Sequence, residues 1–215
     1  MKRFFAFVFL LIWASLIFTC SSAGNDTIYI DKKTISALLP KIKDWLDYYN
    51  LDIRKFKPDG SSGIYIPQEY EESIFCAQLP ASDLMYKPKL REYSPDKNYC
   101  IPLYEFIAQY DEETGLYYGG WDDSQSVWLY DKSKKLGSVI QFNGVGSITE
   151  AAYWLDNNTF VLLGYECVDN YKFTLRLCNL QTEDAVHYSL EKEQPEEGKS
   201  YYTFVLAKRG IEIIE

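Results

Sequence analysis

The chain has 215 residues, 31 acidic against 22 basic, with a formal net charge of −9 and a single histidine. That balance speaks against nucleic acid as a partner, whose binding draws on Lys and Arg to neutralise phosphate. It speaks equally against docking on anionic lipid head groups, and the length suffices for one domain with a real core or two small ones.

Lys2 and Arg3 lead into an uncharged apolar run at residues 4–18, and Ser21, Ser22, Ala23 and Gly24 follow Thr19 and Cys20. A basic start, a short apolar core and a small-residue exit are the layout of a secretory signal. The run is shorter than the ~20 residues a membrane span needs. The segment Ile17-Phe18-Thr19-Cys20 resembles the lipobox of bacterial lipoproteins, in which the cysteine is diacylated and becomes the new N-terminus. The resemblance implies lipidation at Cys20, with ordinary cleavage after Ala23 as the alternative. Two or more acyl chains hold a protein stably on a bilayer. Ser21 after the cysteine implies, by the same resemblance, the periplasmic face of the outer membrane rather than the cell surface. Without Lys2 and Arg3, 20 basic residues oppose 31 acidic ones, a net charge of −11, so the membrane link is the lipid. The expected division is a signal peptide at 1–19, a tether at 20–30, a helical segment packed on the sheet at 31–56 and an antiparallel β domain at 64–215.

Residues 34–50 carry the strong helix signal. Ile35, Leu38, Leu39, Ile42, Trp45, Leu46 and Tyr49 follow three-four spacing, with Lys41, Lys43, Asp44 and Asp47 on the other face. Pro40 lacks an N–H and crowds the preceding turn, which predicts a short turn before it and a firm helix after it. Lys57-Pro-Asp-Gly-Ser-Ser-Gly63 reads as a turn or linker by composition. Residues 64–66 and 74–76 read as short strands, and 78–89, with Pro80 and Pro88, as irregular. Aromatics make up 17% of the chain, including 19 tyrosines, and they favour strands. Strands are accordingly predicted from residue 93 onward: 100–110, 117–118, 126–130, 137–142, 151–155, 159–167, 171–180 and 185–190. At 171–178, Tyr171, Phe173, Leu175 and Leu177 alternate with Lys172, Thr174, Arg176 and Cys178. That period of two predicts one face in a core and one in solvent. Residues 191–198 read as a loop, and 201–214 as closing strands with a hairpin at Lys208-Arg209-Gly210.

Two segments repeat. Tyr93-Ser-Pro-Asp-Lys-Asn-Tyr99 aligns with Tyr153-Trp-Leu-Asp-Asn-Asn-Thr159, and Val127-Trp-Leu-Tyr-Asp131 with Leu175-Arg-Leu-Cys-Asn179. The two offsets differ by about 12 residues, which places an insertion in the first module near 111–120. These motifs resemble the hairpins of β-propeller blades. Two modules cannot close a propeller, which needs four or more. The expected fold is therefore mainly β: antiparallel blade-like sheets, as an open sandwich or partial propeller, with one N-terminal helix. The same residues, with Trp154 to Val161 and the lipobox-like leader, resemble a group of lipoproteins of Bacteroides-type bacteria. That resemblance implies a compartment and a fold and carries no activity.

Besides Cys20 there are Cys76, Cys100, Cys167 and Cys178. An exported chain with an even count permits two disulfides or free buried thiols, and hairpin register does not set Cys167 opposite Cys178. His187 lies in a strand, no G-x-S-x-G accompanies it, and no His/Cys grouping suits zinc. Trp121, Asp122 and Asp123 after Gly119-Gly120 are the best place for a carboxylate pair, and Asp111, Glu112, Glu113 and Asp122 for a loose calcium site. A solvated loop is the preferred reading of the carboxylate pair, and no EF-hand pattern supports the calcium site. No cofactor, metal or catalytic residue is therefore assigned. The expected function is an envelope-anchored, non-catalytic module for protein interaction or assembly, with an envelope protein as partner. The alternatives are a glycan-binding module using Tyr117, Tyr118, Trp121 and Trp128, and a carboxylate-dependent hydrolase at Asp122 and Asp123.

Overall fold

Asp31 opens the first helix. Its carboxylate accepts the N–H groups of Lys33 (2.9 Å) and Thr34 (3.0 Å), satisfying donors that a helix start leaves orphaned. Helix α1 (Lys32–Tyr48) then runs unbroken through Pro40, so the expected break is corrected. Pro40 and Ser36 are both exposed, and the carbonyl that Pro40 leaves without a donor is on the solvent side of the helix. Leu38, Ile42, Trp45 and Leu46 form the buried stripe, and Asn50, with φ 51°, turns the chain away. The computed structural model describes residues 30–119, 123–167, 170–193 and 200–214. The leader, Cys20, Trp121 and Asp122 lie outside the described residues.

The strands, in chain order, are β1 (Lys57–Gly63), β2 (Cys76–Gln78), β3 (Glu92–Tyr93), β4 (Tyr99–Ile101), β5 (Ala108–Asp111), β6 (Leu116–Gly119), β7 (Gln125–Asp131), β8 (Leu136–Asn143), β9 (Ser147–Trp154), β10 (Thr159–Cys167), β11 (Tyr171–Asn179), β12 (Asp184–Lys192) and β13 (Ile213–Ile214). A second helix, α2 (Tyr201–Lys208), precedes β13. The first sheet has the order β2-β8-β7-β4-β3 and the second β1-β12-β11-β10-β9, both antiparallel. A small third sheet has the order β13-β6-β5, with β13 parallel to β6. The fold is mainly β, built of antiparallel sheets with a helix packed on one of them.

The repeat seen in the sequence is a repeat of strands. The meander β3-β4-β7-β8 matches β9-β10-β11-β12, and each is completed on its outer edge by a strand from upstream, β2 on β8 and β1 on β12. The hairpin β5–β6 is the insertion, and it falls where the unequal offsets put it. The two modules touch through their equivalent turns: Asp96 N–H donates to the Asn157 side chain at 3.1 Å, and Tyr99 stacks on Trp154 at 6.2 Å. Trp154 also donates to the carbonyl of Glu92 at 3.2 Å.

Several expectations are corrected. The 57–63 linker is strand β1. Its residues are all exposed, and its membership rests on backbone pairing with β12 rather than on any apolar side chain. An outer edge tolerates Pro58. Residues 64–66 form no strand, although Ile64 is buried. The strand expected at 74–76 begins at Cys76. Pro102 divides 100–110 into β4, a 3-10 turn (Leu103–Glu105) and β5. The closing strands are chiefly helix α2, which buries Tyr201, Tyr202, Val205 and Leu206, so there are two described helices rather than one. The polar face of β11 is not solvated throughout, because Arg176 and Cys178 are both buried, Arg176 reaching the first sheet at the Ile140 carbonyl. Cys76, Cys100, Cys167 and Cys178 are all free, and in β10–β11 Cys167 faces Tyr171 while Cys178 faces Phe160.

One continuous core unites helix and sheets. Trp45 lies against Tyr49, Phe56 and Phe173 at ring distances of 5.9, 6.2 and 5.9 Å. A β-bulge sits where β9 passes under α1: Leu163 faces Ala151 and Gly164 faces Thr149, so Glu150 is the extra residue. A bulge re-aims a side chain, and here it turns Glu150 toward the helices, fully buried. Its carboxylate accepts from Tyr49 Oη (2.7 Å), Trp45 Nε1 (3.2 Å) and the backbone N–H of Tyr201 (3.0 Å). Burial pushes this carboxyl up to about 7 despite those donors. Gly164 admits the bulge, since a Cβ there would stand 1.9 Å from the carbonyl oxygen of Ile148.

Candidate functional site

Two concavities stand out, and each is made by a departure from the regular repeat. The first lies beside the inserted hairpin. Arg91, only 2% exposed, stands behind its lining residue Glu105. The guanidinium is bidentate to Glu105, Nε to Oε1 at 2.8 Å and Nη2 to Oε2 at 2.9 Å, and Nη1 donates to the carbonyl of Asp83. Fork-to-fork pairing of this kind fixes orientation as well as distance. It ties the 3-10 turn Ala81–Leu84 to the turn that leads into β5. The Tyr93 hydroxyl accepts the Lys87 N–H at 2.8 Å, and Tyr104 N–H donates to the Leu90 carbonyl at 3.1 Å. Segment 85–90 is therefore held as a rigid bank.

The opposite bank is β5. It pairs with β6 on one side, and among the described residues no strand lies on its other side. Between the banks runs a groove of about 750 Å³, lined by Met85, Lys87, Leu90, Gln109, Tyr110 and Tyr117 among others. Tyr110 and Tyr117 face each other across the hairpin at 5.0 Å between rings. Met85 is 63% exposed and Tyr110 53%.

The suspects read from the sequence divide accordingly. Tyr117 lines the groove. Tyr118 lies one residue on, opposite Gln109 and beside Ile214 of β13. Trp128 is half-buried in β7, in a different sheet, and forms no part of the groove. Met85, Arg91 and Glu105 were not singled out. The pairing of Arg91 with Glu105 depends on the fold, and the sequence marked this stretch only as irregular, through Pro80 and Pro88. Asp111 caps its own turn, accepting from Glu113 N–H (2.8 Å) and Thr114 Oγ1 (2.9 Å).

The second concavity is polar and lies between the two five-stranded sheets. The Gln125 side-chain amide pairs with the backbone of Thr149 as a neighbouring strand would, accepting its N–H at 2.8 Å and donating to its carbonyl at 3.0 Å. Asn143 joins Gln125 (2.7 Å) to the Thr149 hydroxyl (3.0 Å), and Gln141 donates to Asn143 at 2.7 Å. Arg176 reaches from β11 to the carbonyl of Ile140. That carbonyl belongs to the extra residue of a bulge in β8, where Val127 faces Gln141 and Trp128 faces Val139. Arg176 Nη2 also donates to Ser62 Oγ at 3.2 Å, and Ser62 Oγ lies 2.9 Å from His187 Nε2. Desolvation and the adjacent Arg176 hold the His187 imidazole below its usual range, favouring the neutral ring.

Compared with family models, with curated proteins and with solved structures, the chain matches none.

Proposed function

We propose that this protein is an envelope-anchored, non-catalytic interaction module, tethered through a lipid on Cys20 at the periplasmic face of the outer membrane. Its working surface is the groove beside β5, and its partner is an envelope protein that lays an extended segment along that strand. One observation supports this reading above the others: a one-sided edge strand runs along an apolar groove whose far bank is pinned by a half-buried ion pair. Adding a strand to an open edge supplies main-chain hydrogen bonds, and the groove supplies pockets for alternate side chains. Natural edges are usually blunted by charge or covered. Here the exposed positions of the edge are Gln109 and Tyr110, and the strand's one charge, Asp111, is engaged in its own turn. Clustered exposed apolar side chains mark interaction surfaces more often than chance.

The test is photo-crosslinking from position 109, an exposed place on β5, in the lipidated protein, in its own envelope, with amide exchange of the purified pair. The expected result is one partner peptide crosslinked along β5, slower exchange of the β5 amides when bound, and loss of both with Met85→Ser plus Tyr110→Ala. A partner captured equally by that variant, or crosslinks only to abundant neighbours, would reject the reading.

A further inference from the structure

The polar concavity between the sheets is a cavity of about 240 Å³. Its walls come from six strands: Asp59 of β1, Asn143 of β8, Thr149 of β9, Glu166 of β10, Arg176 of β11 and His187 of β12. Two bulges shape it. One is at Ile140. The other is in β1, where Pro58 faces Tyr188 and Ser61 faces Val186, so Asp59 and Gly60 together oppose the single residue His187. Gly60, at φ 106°, supplies the backbone conformation this needs.

The charges in and around the cavity decide what it suits. Arg176 is only 8% exposed, and its bonds run to neutral acceptors: Ile140 O, Gln141 Oε1 (3.3 Å) and Ser62 Oγ. Its Nε is buried with no partner among the described residues, and no described carboxylate lies within ion-pair distance of the guanidinium. Asp59 and Glu166 are instead held by Lys172, at 2.6 and 3.7 Å. Two fixed cations and two anions thus cancel, with His187 neutral. A charged ligand would meet repulsion from one pair or the other. A hydroxyl group, donor and acceptor at once, can accept from Arg176 and His187 and donate to Asp59 and Glu166. The volume falls below the roughly 300–1,000 Å³ of pockets for drug-sized ligands, which points to one small ring. Phe142, largely exposed, stands at the rim and offers an apolar face to such a ring.

We propose that this cavity binds a single uncharged sugar ring, held by Arg176, His187, Asp59 and Glu166. The site is separate from the β5 groove and does not rest on the protein-partner reading. It also differs from the aromatic set Tyr117, Tyr118, Trp121 and Trp128, because recognition is by planar polar side chains between the sheets.

The test is saturation-transfer NMR and calorimetry on the folded mature chain, with D-glucose, D-galactose and D-mannose as neutral probes and D-glucuronate as the charged one. The expected result is that at least one neutral hexose binds more tightly than glucuronate. Glu166→Gln and Asp59→Asn, both at solvent-accessible positions, should each weaken it at least tenfold, while Tyr110→Ala leaves it unchanged. Binding of glucuronate alone, no binding of any hexose to protein shown folded by its thermal transition, or binding indifferent to both variants would overturn the proposal.

Discussion

The carboxylate of Glu150 accepts the first helical N–H of α2, that of Tyr201, at 3.0 Å. One side chain on a bulge thereby holds two helices, since Trp45 and Tyr49 of the α1 end bind the same group. Its protonation is coupled to folding. The folded value of about 7 stands above the ordinary 4.5. The contribution of this group is therefore fully present below about pH 4.5 and is lost as pH rises through 7. Denaturant midpoints at pH 5 and pH 8 should differ in that direction, by up to about 3 kcal/mol from this group. Glu150→Gln should flatten the slope, and an unchanged slope in that variant would show that other groups carry it.

Gly164→Ala should destabilise severely. The new methyl meets the Ile148 carbonyl at 1.9 Å, with Thr149 Cα 3.0 Å away, and both contacts are backbone. Relief requires β9 to move, at roughly 2 kcal/mol or more. Gly144→Ala, with nothing within 4 Å, is the matched control and should stay within about 0.5 kcal/mol of the parent. Thermal midpoints of the pair decide it.

Arg91→Met should cost about 1–3 kcal/mol, because Glu105 loses its bidentate partner and keeps only Lys87, at 3.1 Å, while the Asp83 carbonyl loses its donor. The loss should be local before it is global. Hydrogen exchange should quicken first at residues 83–91, whose carbonyls and turns the guanidinium holds. Uniform acceleration across both sheets would contradict a local role.

Alkylation of the native protein should sort the thiols. Burial raises Cys100 to about 11 and Cys178 to about 12, so both carry almost no thiolate at neutral pH. Cys167 is only partly buried. Mass spectrometry after brief iodoacetamide treatment should find Cys167 modified ahead of Cys100 and Cys178, and denaturant should abolish the order.

How far the sequence could be read depends on what each element rests upon. Strands β9 to β12 were legible because their turns carry Asp156-Asn157-Asn158 and Gln181 to Asp184 and their interiors are apolar. Helix α1 was legible from its stripe. Strand β1 was not, since Lys-Pro-Asp-Gly-Ser-Ser-Gly holds its place by main-chain pairing that side chains do not advertise. Helix α2 was misread because Tyr201, Tyr202, Phe204 and Val205 favour strands, and the contacts that override them, Glu150 on its N-terminus and Tyr153 Oη at 2.9 Å from Tyr201 Oη, come from β9. His187 was legible only as a lone strand histidine. Its neighbour Ser62 lies 125 residues away in the supposed linker.

The pairing of β1 with β12 has a consequence for how the molecule is made. Helix α1 and β1 leave the ribosome early, yet the surfaces that receive them, β9 to β12 and α2, are synthesised last. The first sheet can close once residue 143 is available, whereas the N-terminal segment must wait for nearly the whole chain. Contacts of such long sequence separation form slowly, and an unsatisfied apolar helix in the meantime invites misassociation. A chain interrupted near residue 150 would strand its own beginning, since Phe173, which receives Trp45, would not yet exist, and the stripe of Leu38, Ile42 and Trp45 would be left uncovered.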